Sequence, residues 1–261
     1  MPTLDNTHAI VVGASRGLGR GVAQSLSAAG ASVLAIARGQ AGLDDLRASD
    51  PAISVLAGDG ADPELAARAF AAHAPDVLAV VAGASPESRP IQDHTWESFS
   101  RNWEVDVRLT FTWLQAALRR PLRPGSRVLL MSSGAAVAGS PLSGGYAGAK
   151  ATIRFMAGYG DEEARRAGLG IRVLAVLPRL TPATELGLAA VRAYAQRAGI
   201  TQAQYVANLG GPVTPELAGA AFVELASGTL SDDVAYLLTG DRGLAPVPSL
   251  RPAAPPARAV A

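Results

Sequence analysis

Gly13-Ala14-Ser15-Arg16-Gly17-Leu18-Gly19 is a glycine-rich loop between an apolar run, residues 9–12, and a helical pattern that follows at once. Glycines permit a tight turn and let the backbone approach a pyrophosphate closely, and the N-terminus of the following helix stabilises the phosphate charge. Because the chain has 28 glycines, the alternative is a turn whose glycines only pack the helix against the strand. The position of the loop, at the start of a strand–helix–strand unit, favours a dinucleotide site.

Short apolar runs alternate with longer helical patterns along the rest of the chain. The runs are almost continuously apolar, which is typical of parallel strands that helices cover on both faces. Asp62-Pro63-Glu64 and Thr214-Pro215-Glu216 each predict a helix start, and Gly30 predicts a left-handed helix end. Right-handed crossovers then give an α/β, doubly wound sheet. The predicted strands are about residues 9–12, 32–37, 53–56, 77–81, 127–131, 171–177 and 235–238.

The chain contains no internal repeat and no Pro/Gly-rich linker that would divide residues 1–244, so these residues are predicted to form one domain. Within them, residues 178–213 break the strand–helix rhythm with several prolines and glycines. This segment is predicted to be a helical insertion with hinges, a candidate lid over a substrate. Residues 245–261 are rich in proline and alanine and are predicted to form a flexible tail, or an arm onto a partner subunit.

Charge and composition exclude several classes of function. The 23 basic and 22 acidic side chains give a net charge of +1, so the broad basic surface of nucleic-acid or membrane-binding proteins is not expected. No signal peptide and no membrane-spanning apolar stretch are recognised. The absence of cysteine excludes thiolate catalysis and cysteine-ligated metals, and the three histidines lack a second ligand at metal spacing. We therefore expect a soluble cytoplasmic protein that acts on a small molecule without a metal.

Lys150 is the one lysine among the 23 basic residues, which suggests a position that needs a compact ammonium. Tyr146 precedes it by four residues and therefore shares its face of a helix. A free tyrosine ionises near pKa ~10, and a nearby ammonium together with a nicotinamide cation favours the phenolate, so Tyr146 is a candidate acid/base for a carbonyl oxygen. Ser133, after the fifth apolar run, could hydrogen-bond the same oxygen, or it could be an ordinary strand-end hydroxyl.

The second apolar run ends in Ala37-Arg38, at the position where an acidic residue would bind the adenosine ribose. Without a carboxylate there, a 2′-phosphate is not repelled, and Arg38 can pair with it in a bidentate manner. Arg16 in the glycine loop can reach the same phosphate. The alternative is two solvated arginines in an arginine-rich protein. The pattern predicts NADP(H) in preference to NAD(H).

Taken in order, the motifs Gly13-x-x-x-Gly17-x-Gly19, Asp59-Gly60, Ala82-Gly83, Ser133, Tyr146-x-x-x-Lys150 and Pro178 resemble the short-chain dehydrogenase/reductase family, in its shorter branch, over about residues 7–240. The resemblance implies a single Rossmann-type domain with about seven parallel strands and NAD(P)-dependent interconversion of a carbonyl and an alcohol. It implies that Asp59 contacts the adenine and that Lys150 also bonds the nicotinamide ribose. It further implies a homodimer or homotetramer formed through two long helices, at about residues 97–120 and 145–168.

Four residues depart from the family pattern: Val12 replaces a threonine, Val81 an asparagine, Asp106 a helix-borne asparagine and Arg179 a glycine. The asparagine of the family anchors a proton-relay water beside the lysine, so Asp106 is predicted to raise the pKa of Lys150 and to retune or weaken the relay. Arg179 either faces the mouth of the active site, where it would bind a carboxylate or phosphate of the substrate, or points outward in an altered turn.

The sequence thus predicts an NADP(H)-dependent oxidoreductase with Tyr146 as its acid/base. Two alternatives stay open: an NADP(H)-binding sensor or scaffold that has lost turnover, and an NAD-linked alcohol dehydrogenase. The predicted catalytic residues are Ser133, Tyr146, Lys150 and Asp106. The predicted cofactor-binding residues are Gly13, Ser15, Arg16, Gly17, Leu18, Gly19, Arg38, Asp59, Gly60, Ala82, Gly83, Tyr146, Lys150 and Pro178.

Overall fold

A computed structural model describes residues 3–120, 122–228 and 233–248. Eight strands form one sheet in the order β3-β2-β1-β4-β5-β6-β7-β8, in which β1 to β7 run parallel and β8 runs antiparallel to β7. The strands are β1 (His8–Val12), β2 (Ser32–Ala37), β3 (Ser54–Ala57), β4 (Val77–Val80), β5 (Arg127–Met131), β6 (Arg172–Pro178), β7 (Ala235–Thr239) and β8 (Gly243–Pro246).

The predicted α/β sheet of about seven parallel strands is confirmed, and β8 adds an antiparallel edge strand that the sequence analysis missed. Ala245 and Pro246, which were assigned to a flexible tail, pair with Leu237 and Tyr236 of β7. The sheet therefore runs two residues past the predicted boundary. Apolar residues in and beside β8 pack against the buried clusters on the two faces of the sheet. Because β8 is an edge strand, it tolerates Pro246. Residues 249–261 lie outside the described part of the chain.

Helices cover both faces of the sheet because the central strands are apolar on both sides. In β1, Ala9 and Val11 contact one buried cluster, and Ile10 and Val12 contact the other. The first cluster includes α1, α2 and α10, and the second includes α3, α5 and α7. The helices are α1 (Gly17–Ala28), α2 (Gln40–Ser49), α3 (Pro63–His73), α4 (Trp96–Asn102), α5 (Arg108–Arg119), α6 (Ala135–Ala138), α7 (Tyr146–Arg166), α8 (Glu185–Ala198), α9 (Gln202–Ala207) and α10 (Pro215–Ala226).

The local signals for helix ends are confirmed. Asp62 accepts a hydrogen bond from the Glu64 amide at the start of α3, and Thr214 accepts one from the Leu217 amide at the start of α10. Gly30 follows α1 with φ of 99°. Residues 178–213 contain α8 and α9, as expected of a helical insertion. No helix in the described ranges is both long enough and apolar enough to cross a membrane.

The helix predicted at about residues 97–120 is interrupted. A π-helical turn, Trp103–Val107, separates α4 from α5 and carries the buried Asp106. Single π turns inside helices often accompany functional sites, because the wider turn re-aims a side chain.

The order of the strands in the sheet reverses between β1 and β4. In such a sheet, ligands bind at the carboxyl ends of the strands, beside the point of reversal.

Candidate active site

A cleft of about 1620 Å³ lies along the carboxyl ends of the parallel strands. The loops that follow β1 to β6 form its floor, and the helical insertion forms part of its wall. Every site residue predicted from the sequence lines this one cleft. They are Gly13, Ser15, Arg16, Gly17, Leu18, Gly19, Arg38, Asp59, Gly60, Ala82, Gly83, Asp106, Ser133, Tyr146, Lys150 and Pro178.

Lys150 and Asp106 form a buried ion pair in the cleft floor. The Lys150 Nζ lies 3.1 Å from Asp106 Oδ2, and the two side chains are only 5% and 0% exposed. The ammonium also donates to the Met131 carbonyl oxygen at 3.3 Å and lies 5.6 Å from the centre of the Tyr146 ring. Tyr146 and Lys150 therefore share one face of α7, as their spacing predicts.

The Asp106 carboxylate is held in place by its own hydrogen bonds. The Ala84 amide donates to Oδ1 at 2.7 Å, and Asn102 Nδ2 donates to Oδ2 at 3.3 Å. Gly83 leaves room for this carboxylate, because a Cβ atom there would lie 2.8 Å from Asp106 Oδ2. The loop after β4 and the π turn thus hold the partner of Lys150 in a defined position.

The charge of Lys150 depends on this partner. Burial alone lowers the pKa of a lysine, but the Asp106 carboxylate, the nearby Tyr146 and the hydrogen bond with Asp106 outweigh burial and raise the pKa of Lys150 above its usual value. This direction agrees with the effect of Asp106 that the sequence predicts. Lys150 is an ammonium at any ordinary pH, and the Asp106 carboxylate, 3.1 Å away, compensates its charge.

Ser133 follows β5, and the Ala135 amide donates to its hydroxyl oxygen at 3.2 Å at the start of α6. Tyr146, the first residue of α7, is half-buried and lines the cleft. A hydroxyl and a phenol from two different elements thus reach the same cleft, beside a buried ammonium. Such a set can hold a carbonyl oxygen and exchange a proton with it.

The glycine loop lines the other end of the cleft. Gly13 has φ of 95°, and a Cβ atom there would lie 2.5 Å from the Ala82 amide nitrogen, so only glycine fits between β1 and β4. Gly17, Leu18 and Gly19 form the first turn of α1, which has no side-chain cap and contains no acidic residue. A helix N-terminus in this state attracts an anion, and the residues present therefore fit the pyrophosphate of a dinucleotide.

Two arginines lie in or near the glycine loop. Arg38 follows β2, is exposed, and forms no ion pair among the residues that the structure describes. Arg16 pairs with Glu185 at the start of α8 at 2.6 Å. This pair is 73% and 79% exposed, so it is weak, and Arg16 can exchange partners at little cost.

Several contacts in the site were not anticipated. The Ser132 hydroxyl donates to the Lys150 carbonyl oxygen at 2.7 Å, and Asn102 Nδ2 donates to the Ala84 carbonyl oxygen at 2.9 Å. The Ser140 hydroxyl hydrogen-bonds the Tyr194 hydroxyl on α8. Asn102 could have been found from its position four residues before Asp106, whereas Ser140 and Tyr194 are 54 residues apart and share no local pattern.

The helical insertion contributes both to the cleft and to the core. Leu186, Tyr194 and Tyr205 line the cleft, and the two tyrosine rings stack with their centres 5.9 Å apart. Val191 is fully buried in the protein, and Leu188 is exposed. In the described ranges, no group of three or more histidine or carboxylate side chains is placed to hold a metal ion.

Comparison with known families places these residues in a wider context. Residues 7–194 match the model of one family, the short chain dehydrogenases. This match contains the glycine loop, Asp106, Ser133, Tyr146, Lys150 and the first part of the helical insertion.

Curated relatives match over a shorter stretch. L-xylulose reductase from Homo sapiens is 36% identical over 116 residues, which are 44% of this chain and 48% of that protein. Carbonyl reductase (NADPH) 2 from Sus scrofa is 33% identical over 128 residues, 48% of this chain and 52% of that protein. The chain spans about half the length of the curated relatives that it matches.

The fold has a solved counterpart. A crystal structure of a short chain dehydrogenase from Mycobacterium avium superposes with a TM-score of 0.74, covering 97% of this chain and 90% of that chain. The two sequences are 23% identical, so this likeness concerns the fold alone.

Proposed function

This chain belongs to the short chain dehydrogenase family, and from that premise we propose that it is an NADP(H)-dependent oxidoreductase that interconverts a carbonyl group and an alcohol. The observation that carries the proposal is the buried Lys150–Asp106 pair beside Tyr146, in the same cleft as the glycine loop. A buried ammonium next to a phenol is an arrangement that can tune proton transfer. Two relatives named as reductases agree with this reading.

The bound nicotinamide would supply or accept the hydride, which the protein's own side chains cannot do. Tyr146 gives a proton to the carbonyl oxygen during reduction and takes it back during oxidation. Ser133 donates a hydrogen bond to the same oxygen and stabilises the charge that develops on it. Lys150 stabilises negative charge on the Tyr146 oxygen, because its ammonium lies beside the ring and stays protonated.

Asp106 acts through Lys150. Its carboxylate keeps the ammonium in place and charged, and it also cancels part of the positive field that reaches Tyr146. We therefore propose that Asp106, predicted from the sequence as a catalytic residue, acts as a positioning residue that sets the pH range of catalysis.

The binding of NADP(H) is assigned to the residues at the glycine-loop end of the cleft. The pyrophosphate would lie against the first turn of α1, and Asp59, Gly60, Ala82 and Gly83 would line the remaining path toward Tyr146 and Lys150. Arg38 would hold the 2′-phosphate, with Arg16 released from Glu185 as a second partner.

A single domain is proposed to carry both cofactor binding and catalysis. The sheet and its helices, through β8, form the dinucleotide-binding part, and residues 178–213 form the substrate loop. A homodimer or homotetramer through α5 and α7 is supported by Phe111, Phe155 and Tyr159, which are 53%, 60% and 54% exposed on these two helices. Large exposed apolar side chains on adjacent helices are typical of an interface.

The general test is to measure NADPH binding by calorimetry and NADPH oxidation with a panel of ketones, aldehydes and quinones. We expect binding and turnover of at least one carbonyl class. Tight NADPH binding with no turnover of any carbonyl compound would instead favour a sensor. This alternative is tested because Asp106 compensates the charge of Lys150, which weakens the effect of the ammonium on Tyr146.

Cofactor preference gives a first specific prediction. Arg38→Asp places a carboxylate where the 2′-phosphate is proposed to bind, so we expect the affinity for NADPH to fall by about 10- to 100-fold and that for NADH to stay equal or rise. The dissociation constants of both cofactors, measured by tryptophan fluorescence, check this result.

Arg68→Asp is the matched control for this prediction. It makes the same change of charge on α3, at an exposed residue outside the cleft, and should leave both affinities unchanged. Equal affinities of the parent protein for NADH and NADPH, or unchanged NADPH binding in Arg38→Asp, would contradict the NADP(H) assignment.

A further inference from the structure

The substrate side of the cleft has an unusual charge balance. It is formed by residues 132–145, which contain no acidic residue, and by residues 178–213, which contain one, Glu185. Glu185 is already paired with Arg16. Against it, two arginines of the insertion, Arg179 and Arg197, line the cleft. This side of the cleft therefore has an excess of positive charge.

Arg179 lies at the catalytic end of this surface. Its backbone is held on two sides, because its amide donates to the Leu238 carbonyl oxygen at 2.9 Å and the Gly134 amide donates to the Pro178 carbonyl oxygen at 2.8 Å. A Cβ atom on Gly134 would lie 3.7 Å from both Cα and Cγ of Arg179. The arginine stem therefore passes Gly134, the residue next to Ser133, and Arg179 is among the residues that line the cleft.

The guanidinium of Arg179 has no ion pair within the described residues. Asp241 lies within its electrostatic range, but the ion pair of that carboxylate is with Arg242, at 3.5 Å. Asp241 lies outside the cleft lining, and neither a hydrogen bond nor an ion pair ties the Arg179 guanidinium to it within the described residues. A cation that lines a ligand cleft without a protein counterion is available to an anionic ligand.

The rest of this wall offers no competing negative charge. Arg197 also lines the cleft, from the last turn of α8. Burial, then the nearby Tyr205 and Tyr146, raise the pKa of Tyr194 to about 12, so its phenol is neutral at working pH. The other carboxylates that line the cleft belong to different elements: Asp45 to α2, Asp59 to the loop after β3, and Glu104 and Asp106 to the π turn. Of these, Asp106 is paired with Lys150.

We propose that the substrate is a carbonyl compound that carries a carboxylate, and that Arg179 binds this carboxylate, with Arg197 as a second cation farther along the insertion. This inference rests on the proposed function and names the substrate class of the same site. A planar guanidinium binds a carboxylate through two parallel hydrogen bonds, which would also orient the carbonyl group toward Ser133 and Tyr146.

The test uses pairs of substrates that differ only in charge: 4-oxopentanoate with its methyl ester, and 4-acetylbenzoate with its methyl ester. Rates of NADPH oxidation give kcat and KM for each member of a pair. We expect the parent enzyme to prefer the acid. In Arg179→Gln, kcat/KM for the acid should fall about 10-fold or more, mainly through KM, and kcat/KM for the ester should stay constant.

Arg192→Gln is the matched control, because Arg192 lies on α8 but does not line the cleft. It should leave both members of each pair unchanged, and Arg197→Gln should show a smaller loss for the acid than Arg179→Gln. A parent enzyme that reduces esters as well as acids, or an Arg179→Gln variant that affects acid and ester equally, overturns the inference.

The two failures can be told apart. If esters or other neutral carbonyl compounds are reduced without a preference for acids, the inference fails and the proposed function stands. If NADPH is bound but no carbonyl compound of either charge is reduced, the proposed function fails, and the inference fails with it. If Arg179→Gln weakens NADPH binding itself in calorimetry, Arg179 belongs to the cofactor site and the inference is also wrong.

Discussion

The Tyr146→Phe variant should lose about 10²- to 10⁴-fold in kcat while binding NADPH as tightly as the parent protein, because a general acid contributes a rate factor of this size. The phenylalanine keeps the ring and its packing on α7, and it removes only the hydroxyl that is proposed to exchange the proton. Steady-state rates with the best carbonyl substrate and calorimetry with NADPH measure the two quantities separately.

Tyr159→Phe provides the matched control. Tyr159 also lies on α7, but it is 54% exposed and does not line the cleft. The same loss of one hydroxyl should there leave kcat and KM unchanged. If Tyr146→Phe keeps more than half of the parent rate, proton transfer uses another group, and the assignment of Tyr146 is wrong.

Among the variants proposed here, Asp106→Ala should produce the largest loss of stability. It leaves the buried Lys150 ammonium without its partner, and breaking a buried ion pair from one side costs about 3–5 kcal/mol. The free energy of unfolding in urea measures this cost. Because folding raises the pKa of Lys150, the contribution of the ion pair to stability is fully present below the ordinary lysine pKa of 10.5. It is lost as the pH rises from there through the raised pKa of Lys150 in the folded protein.

Asp106→Asn separates charge from shape. An asparagine side chain keeps an oxygen for the Ala84 amide, which Asp106 accepts at 2.7 Å, so we expect a smaller loss of stability than in Asp106→Ala. It also removes the negative charge beside Lys150. The uncompensated ammonium then favours ionisation of the Tyr146 hydroxyl, and the acidic limb of the pH profile for alcohol oxidation should move to lower pH.

The pH profile is the measurement that a merely structural role would not change. If Asp106→Asn has the kcat and the pH profile of the parent and only a lower stability, Asp106 holds the fold together and does not tune the reaction. If the profile moves to higher pH, the sign of the proposed electrostatic effect is wrong.

Local sequence patterns were sufficient for the frame of the molecule. Strands β1 to β7 were recognised from continuous apolar runs, and the starts of α3 and α10 from a capping residue, a proline and an acid. Each of these signals involves residues within a few positions of one another, where backbone geometry and local hydrogen bonds dominate. The same holds for Tyr146 and Lys150, which one turn of α7 brings together.

The end of the sheet shows where such patterns mislead. Residues 245–261 are expected to be flexible because they are rich in proline and alanine. The first two of these residues nevertheless pair with β7 in β8, since an edge strand needs hydrogen bonds on one side only. The π turn was missed for a similar reason, because its sequence has no distinct composition.

The sequence alone determined the alternation of β1 to β7 with helices along the chain, the glycine loop, and the placement of Tyr146 and Lys150 on one helix face, because these depend on neighbours along the chain. Only the tertiary structure decided that Asp106 forms a direct ion pair with Lys150, that Arg16 meets Glu185 across 169 residues, and that Arg179 is among the residues that line the cleft. These contacts arise from how whole elements pack against one another. The type of residue at one position does not indicate which distant element will pack against it.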